Sequence, residues 1–279
     1  MSTYKRVYDE GIEILQGAGI SEAKLDGRLL LEYVCNINHS FILTHGDEEM
    51  DETKEKEYME LIQKRAERNP LAYITGSQEF MGLEFKVSED VLIPNQDTET
   101  LVEEVLRELS DGMEIMDLCT GSGCIALSLL NFTNDTIAVA TDISEKALDI
   151  ARANADKIGL SERISFVQTD LFPAEERKFD IIVSNPPYIR TSVIEELEPE
   201  VKDHEPRLAL DGDADGLTFY RRIVDKSAEF LHSSGWLMME IGYDLGADVS
   251  AMMENAGYKD VEVIKDLGGN DRVVRGCLY

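Results

Sequence analysis

Positive charge is scarce in this sequence. Of its 279 residues, 27 are Lys or Arg and 56 are Asp or Glu, so the formal net charge is −29. No cluster of Lys and Arg interrupts this acidic background. Because contacts to the phosphate backbone dominate nucleic-acid binding, we expect no direct binding to nucleic acid. A basic protein partner, in contrast, would be attracted.

Cysteines are few and long apolar runs are missing. Cys35, Cys119, Cys124 and Cys277 include no CxxC pair, and their spacing resembles no disulfide framework. This usage indicates a reducing compartment. No apolar run reaches the roughly 18 residues of a transmembrane helix, and the N-terminus leads into no signal-peptide core. We therefore expect a cytoplasmic, monomeric protein with no membrane partner.

The periodicity of the apolar residues divides the chain into three parts. Through residues 1–75 they recur at helical spacing, and in residues 76–97 they alternate with polar residues, as in a hairpin. In residues 98–279 strands and helices alternate, which predicts a doubly wound, mostly parallel sheet. The predicted strands are 114–118, 137–141, 164–167, 179–183, 236–241, 258–264 and 272–278.

The predicted fold class is therefore α/β. It consists of a seven-stranded sheet domain (98–279) and a small N-terminal helical domain (1–75), joined by a β-hairpin linker (76–97). The last two strands follow each other without a helix between them, which predicts an antiparallel hairpin at the edge of the sheet.

The fourth predicted strand of the sheet ends in Asn185-Pro186-Pro187-Tyr188. Two successive prolines remove two backbone donors and fix φ, and Asn185, which precedes a proline, is held extended. The result is a stiff turn at the carboxyl end of a strand, where open α/β sheets bind ligands. The alternative interpretation is a purely structural turn without a ligand, in which Asn185 is a local cap.

A planar amino group suits this turn as a ligand. The Asn185 side-chain oxygen and the Pro186 carbonyl can each accept one hydrogen from an –NH2 group, while the Tyr188 ring can pack against the same plane. Holding both N–H bonds leaves the nitrogen lone pair aimed at an electrophile. We predict that Asn185, Pro186 and Tyr188 are catalytic, and that the substrate contacts all four residues of the turn, including Pro187.

A cofactor loop is predicted after the first strand of the sheet domain, in Asp117-Leu-Cys-Thr-Gly121-Ser-Gly123. Its glycines let the backbone approach a ligand closely. Asp142 ends the next strand, 21 residues after Gly121, where a carboxylate can accept hydrogen bonds from ribose hydroxyls. The same spacing matches the dinucleotide fingerprint. By itself the loop therefore indicates only a cofactor that contains a nucleoside.

Two features favour S-adenosylmethionine over NAD. Asp117 would repel a pyrophosphate, but it suits a cationic amino acid and a sulfonium. After the third strand, Asp170 can accept from the exocyclic amine of adenine and Leu171 can pack on the ring. The predicted cofactor-binding residues are Asp117, Cys119, Thr120, Gly121, Ser122, Gly123, Asp142, Asp170, Leu171 and Asn185.

Over nearly its whole length the chain resembles the release-factor glutamine methyltransferases, the HemK family. The matching pieces are Ala72-Tyr-Ile-Thr-Gly76, Glu79-Phe80, Val91-Leu-Ile-Pro94, Asp117 to Gly123, Asp142, Asp170-Leu-Phe172, Val183-Ser-Asn-Pro-Pro-Tyr-Ile189, Glu205-Pro-Arg207 and Asp271-Arg-Val-Val274. The resemblance implies methyl transfer from S-adenosylmethionine to the glutamine amide in the Gly-Gly-Gln motif of peptide-chain release factors. The helical domain is expected to bind that protein substrate.

Two other enzyme classes remain open as alternatives. The Asn-Pro-Pro-Tyr motif alone is shared with methyltransferases of the adenine amino group in nucleic acids, which the acidic charge disfavours. A nicotinamide-dependent oxidoreductase would explain the glycine loop. It gives no role to the turn Asn185–Tyr188, here called the amino-group turn.

The chain departs from the family pattern at three places. Cys119 stands where the family usually has glycine, and Asn95-Gln96-Asp97 replaces the usual Arg-Pro-Glu. After the fifth strand, Leu245 stands where the family often has glutamine. We expect Cys119 to be a free, non-catalytic thiol that lines the loop.

We expect no metal site. The run from Asp211 to Gly216 copies the start of a calcium loop, but Arg222 occupies the position of the twelfth-residue carboxylate that such a loop requires.

Overall fold

The computed structural model describes residues 2–175 and 177–279. The chain forms two compact units. The first runs to Gly76 and also includes Glu198–His204, and the second holds Ser77–Leu197 and Glu205–Tyr279. The short segment Glu198–His204 is thus grouped differently from the sequence-based division, which places it with the sheet.

The first unit is helical. Its helices are α1 (Tyr4–Gly17), α2 (Ala23–Cys35), α3 (His39–His45), α4 (Glu52–Ala66) and α5 (Leu71–Thr75). Asp51 caps α4 by accepting hydrogen bonds from the backbone N–H groups of Thr53 and Lys54, which satisfies donors at the start of the helix. The helices bury one apolar core around Leu15, Leu30 and Tyr58.

Ion pairs explain why Glu198–His204 belongs to the helical unit. Glu200 lies 2.9 Å from Arg65 and 2.6 Å from Arg68, and Arg65 also pairs with Asp26 at 2.7 Å. The side chains of Arg65 and Asp26 are each only 10% exposed. Charges this far out of water must be paired, so the segment is held by partners that lie far from it in the sequence.

The second unit is an α/β sheet with helices on both faces. Its strands are β1 (Ser77–Phe80), β2 (Leu83–Lys86), β3 (Glu114–Leu118), β4 (Ile137–Asp142), β5 (Ile164–Gln168), β6 (Phe179–Ser184), β7 (Leu231–Glu240), β8 (Lys259–Lys265) and β9 (Asp271–Leu278). The remaining helices of the chain are α6 (Gln96–Glu108), α7 (Cys124–Asn131), α8 (Glu145–Ile158), a 3-10 turn (Ser161–Arg163), α9 (Thr191–Ile194), α10 (Pro199–Lys202, in the first unit), α11 (Arg207–Leu210), α12 (Thr218–Ser227) and α13 (Gly246–Asn255).

Over the described residues, seven strands form one sheet in the order β5-β4-β3-β6-β7-β9-β8, and β1 and β2 form a separate antiparallel hairpin. β9 runs antiparallel to both neighbours, and the other pairs are parallel. The predicted fold class is confirmed. The predicted edge hairpin is present, with β8 at the edge.

One strand begins earlier than its sequence indicates. Apolar residues predict a start at Trp236, but β7 begins at Leu231. The added residues are mostly polar, and Ser234 has a φ of 66°. The pairing resumes at Leu231 opposite Phe179 after an irregularity, so partner contacts extend the strand beyond its apolar run.

The sheet core positions the functional end of the domain. β6 is buried along most of its length, and its apolar side chains pack into clusters on both faces of the sheet. The strand order reverses between β3 and β6, because β3 continues outward to β4 and β5 while β6 continues to β7. Open α/β sheets bind ligands at such a switch point. Within the part of the chain that the structure describes, no helix is both long and apolar enough to span a bilayer.

Candidate active site

A cavity of about 310 Å³ lies at the carboxyl ends of the parallel strands. Six of the residues predicted from the sequence line it together: Cys119, Gly121, Asp142, Asp170, Leu171 and Asn185. Pro187 lines it as well. The structure therefore brings the cofactor loop, the ends of β4 and β5 and the turn after β6 to one cavity.

The loop after β3 depends on left-handed backbone. Gly121 and Gly123 have φ of 56° and 81°, and Cys119 has a φ of 58°. Only glycine adopts this region without cost, so the Cβ of Cys119 strains the loop on the order of 1 kcal/mol. Burial raises the pKa of the Cys119 thiol. A thiol in this state is a poor nucleophile, which supports the prediction of a non-catalytic cysteine.

Asp117 is fully buried beneath this loop. Its Oδ2 accepts a hydrogen bond from the Thr120 hydroxyl at 2.6 Å, while Oδ1 has no partner among the described residues. Burial raises the pKa of Asp117 to about 7. Ser122 is buried too, and Gly123 packs against Ala151. Asp117, Thr120, Ser122 and Gly123 therefore shape the loop from behind instead of lining the cavity.

Asp142 ties the loop to the end of β4. Its Oδ2 accepts from the backbone N–H of Gly121 at 3.0 Å, and its Oδ1 accepts from the backbone N–H of Ser144 at 2.9 Å. Each carboxylate oxygen can accept a second hydrogen bond. Asp142 therefore orients the loop and still offers acceptors to a ligand in the cavity.

Two further residues that line the cavity, Phe219 and Arg222, were missed by sequence reasoning. Asp170 pairs with Arg222 at 2.7 Å, and Phe219 lines the cavity beside them. Phe219 and Arg222 are three residues apart on α12 and thus share one face of the helix. That spacing was a visible signal, but nothing in the sequence places α12 over Asp170. Leu171 is buried with a φ of 70°, and its carbonyl accepts from the Thr141 hydroxyl at 2.8 Å.

The turn after β6 is held by side chains from two other elements. The Asn185 Nδ2 group donates to the Thr98 hydroxyl at 3.2 Å, and the Tyr188 hydroxyl donates to Glu240 Oε1 at 3.1 Å. Pro186 and Pro187 are buried. Burial raises the pKa of Glu240 to about 7, against the opposing effects of Thr98 and Arg272. Thr98 and Glu240 are further functional candidates that sequence reasoning missed.

The acidic run Asp211 to Gly216 braces the same turn. Ile189 donates its backbone N–H to Leu210 at 2.9 Å, and Gly212 donates to the Ile189 carbonyl at 2.8 Å. A Cβ at Gly212 would lie 2.7 Å from the Tyr188 Cα, and one at Gly216 would lie 2.5 Å from the Tyr188 carbonyl oxygen. Residues 211–216 need their glycines for this close packing. Over the described residues, no cluster of three His, Cys, Asp or Glu side chains could hold a metal ion.

A seven-stranded sheet of this order, with a cavity at its switch point, is the fold of the α/β methyltransferases. A solved methyltransferase from Pyrococcus furiosus has this fold, with a TM-score of 0.55, 19% identity and coverage of 77% of this chain and 96% of that one. Two family models also match: the PrmC N-terminal domain over residues 6–76 and the methyltransferase small domain over residues 94–198.

Curated relatives narrow the class to a family. The release factor glutamine methyltransferase of Clostridium botulinum is 42% identical over 97% of this chain and 97% of its own. The protein of that name from Geobacter sulfurreducens is 39% identical over 99% of this chain and 97% of its own. This chain belongs to the release factor glutamine methyltransferase family, and the resemblance seen in its motifs is confirmed.

Proposed function

We propose that this protein transfers a methyl group from S-adenosylmethionine to the side-chain amide of the glutamine in the Gly-Gly-Gln motif of peptide-chain release factors. Membership of the family supports the reaction class. The observation that carries the proposal is that Asn185, the first residue of the amino-group turn, lines the same cavity as two predicted cofactor residues. These are Gly121 of the cofactor loop and Asp142 at the end of β4. The methyl donor and the amide that accepts the methyl group can therefore meet in this cavity.

The lining of the cavity fits S-adenosylmethionine. The volume of the cavity, about 310 Å³, lies within the range of small-molecule sites. The carboxylates of Glu89, Asp90, Asp142 and Asp170 line it, together with the guanidinium of Arg222. An acidic lining attracts a cationic ligand and repels a pyrophosphate, which favours S-adenosylmethionine over NAD. When bound, this cofactor supplies an electrophilic methyl group on a sulfonium.

Particular residues are proposed to hold each part of the cofactor. Asp142 would accept from the ribose hydroxyls, and Leu171 and Asp170 would contact the adenine. Cys119 and Gly121, in the loop above the buried Asp117, would contact the methionine part. Asn185 would border the cofactor from the side of the substrate. All of these residues belong to the second unit.

The amide nitrogen of glutamine is a poor nucleophile because its lone pair is delocalised. The site must therefore compensate by alignment and electrostatics. We assign the Asn185 side-chain oxygen and the Pro186 carbonyl as acceptors of the two N–H bonds, with Tyr188 and Pro187 completing the walls. Two acceptors stabilise the positive charge that develops on nitrogen, and the proton then leaves to water.

The helical domain, residues 1–75, is proposed to recognise the release factor, with residues 76–97 as linker. Its residues do not line the cavity described above. A chain that begins at Ser77, the first residue of the second unit, keeps the cavity-lining residues Glu89 and Asp90. It should thus bind S-adenosylmethionine in calorimetry but methylate release factor poorly. Full methylation by that shortened chain would contradict the assignment.

Mass spectrometry tests the reaction directly. A release factor incubated with the protein and S-adenosylmethionine should gain one methyl group on the Gly-Gly-Gln glutamine. A release factor with alanine in place of that glutamine is the matched control and should gain none. Methylation of an adenine-containing oligonucleotide, or binding of NAD without binding of S-adenosylmethionine, would support the alternatives and overturn the proposal.

A further inference from the structure

The Thr98 hydroxyl lies between two groups of the candidate site. Thr98 sits in the first turn of α6 and is 3% exposed, and Glu240 ends β7 and is 2% exposed. On one side, Thr98 Oγ1 accepts from Asn185 Nδ2 at 3.2 Å. On the other side, the Thr98 side chain lowers the pKa of Glu240 and so favours its ionised form. Three elements thus converge behind Asn185.

The chemistry of a hydroxyl determines the direction of these contacts. An ionised carboxylate can only accept, whereas a threonine hydroxyl has one hydrogen to donate. Glu240 Oε1 already accepts from Tyr188, and Glu240 Oε2 is buried and has no partner at ordinary hydrogen-bond geometry among the described residues. A buried acceptor without a donor is costly. The Thr98 side chain, which lowers the pKa of Glu240, is the candidate donor.

Once its hydrogen is directed to Glu240, the Thr98 oxygen can only accept from Asn185. The –NH2 end of the Asn185 amide must then face Thr98, and its oxygen must face the opposite way. Asn185 lines the cavity, so the oxygen is presented to the ligand. The hydrogen-bond network, and not steric shape, decides the orientation of an amide group, since its two ends have nearly the same size.

We propose that Thr98 and Glu240 are positioning residues that hold the Asn185 amide with its oxygen toward the substrate. This inference rests on the proposed role of Asn185 as the acceptor of a substrate N–H. Without the Thr98 hydroxyl the amide can turn over and present its own –NH2 to the –NH2 of glutamine. Two donors then face each other, and methyl transfer loses its alignment.

The surroundings of Glu240 define the conditions for a test. Burial, the largest effect, raises the pKa of Glu240 to about 7, and Asp97 acts in the same direction. The Thr98 side chain, the charge of Arg272 and the Tyr188 hydroxyl act against it. The ionised carboxylate of Glu240 can only accept, and the proposed hydrogen bond from Thr98 requires this state. Kinetics should therefore be measured above this value, at about pH 8.

Thr98→Val removes the hydroxyl and keeps the shape of the side chain, whereas Thr98→Ser keeps the hydroxyl. Thr98→Val should lower kcat for release-factor methylation by about 10- to 100-fold, the scale of losing one oriented hydrogen-bond partner. Thr98→Ser should return kcat to within about threefold of wild type. KM for the release factor and the calorimetric Kd for S-adenosylmethionine should stay within about twofold in both, because neither ligand touches Thr98.

A double-mutant cycle separates positioning from general damage. In an Asn185→Ala background there is no amide to orient, so adding Thr98→Val should change kcat by less than about twofold. A further loss of the same size as in wild type would overturn the proposal. So would a Thr98→Val enzyme with kcat near wild type, or a Thr98→Ser enzyme as slow as Thr98→Val.

Glu240→Gln provides an independent variant if Thr98→Val does not fold, as judged by its melting temperature. A glutamine can donate to the Thr98 oxygen, which reverses the direction of the hydrogen bond between the two side chains. The value of kcat should therefore fall, while cofactor affinity is kept. Full activity of Glu240→Gln would refute the inference. If wild type methylates release factor and Asn185→Ala does not, the proposed function stands whatever Thr98 does. Wild type that leaves the glutamine unmodified would instead refute the proposed function.

Discussion

The two halves of the candidate site lie at the ends of neighbouring strands, yet they are built by opposite means. β3 and β6 pair in parallel with Leu118 opposite Ser184, and the Ser184 hydroxyl donates to the Leu118 carbonyl at 2.8 Å. Beyond that point β3 enters a loop with three left-handed residues, whereas β6 enters two prolines. The predicted cofactor loop is shaped by its own backbone, whereas the turn after β6 (Asn185–Tyr188) is shaped by its prolines and by its neighbours.

This difference has a consequence for mutation. A loop that depends on backbone freedom should tolerate changes that add freedom. A turn that depends on tertiary contacts should be damaged by changes at residues distant in sequence. The four predictions below test that contrast, from the largest expected effect to the smallest.

Asn185→Ala should have the largest effect. It removes the proposed acceptor and leaves one substrate N–H unpaired, so turnover should fall by at least about 100-fold. Asn185→Asp, which keeps an acceptor, should lie between alanine and wild type. Calorimetry should show little change in S-adenosylmethionine affinity. Near wild-type methylation by Asn185→Ala would mean that the turn is only structural.

Gly216→Ala should damage the turn from outside it. The new Cβ would meet the Tyr188 carbonyl at 2.5 Å, and overpacking of this kind costs about 1–3 kcal/mol of unfolding free energy, in addition to the strain of its positive φ. Gly112→Ala is the matched control: Gly112 has a φ of 86° but open space around its Cβ position. Denaturant titration should show the larger loss for Gly216→Ala. Equal losses would indicate backbone strain alone and no brace on Tyr188.

Asp142→Ala should weaken S-adenosylmethionine binding by roughly 1–3 kcal/mol, the range for hydrogen bonds to a charged group. It also releases the Gly121 backbone N–H that Asp142 now holds. Asp170→Ala is the comparison, since Asp170 is 54% exposed and already paired with Arg222; its effect should be smaller. Unchanged affinity of Asp142→Ala in calorimetry would remove Asp142 from the cofactor site.

Cys119→Gly should have the smallest effect and a favourable sign. Glycine removes the cost of a Cβ at a φ of 58°, about 1 kcal/mol, partly offset by the greater freedom of glycine in the unfolded chain. Cofactor affinity should be kept or improved. Cys119→Ala retains the strain and serves as control. A large loss of activity in both variants, with folding intact, would reveal a role for the thiol.

Local patterns account for much of what could be predicted. Glu114–Leu118 appears as a strand with the predicted bounds, because its apolar side chains are buried on both faces and their run is visible in the sequence. The glycine loop and the Pro-Pro turn are likewise local, since their backbone restrictions are properties of the residues themselves. Their assignment to cofactor and substrate remains a prediction.

Contacts between distant residues could not be predicted in the same way. Thr98 lies 87 residues from its partner Asn185, and Arg65 lies 135 residues from Glu200. A threonine in the first turn of a helix and a glutamate in a charged segment are common features whose partners no periodicity indicates. Only the strand order and the helix packing bring them together.

The amino-acid sequence by itself determined the family, the α/β class and the chemical character of the two segments predicted to bind ligands, since these depend on residue types at short spacing. The tertiary structure decided which way the Asn185 amide faces, what braces Tyr188 and why Glu198–His204 joins the helical unit. Each of these depends on hydrogen bonds, close packing or paired charges whose partners become neighbours only when the chain folds.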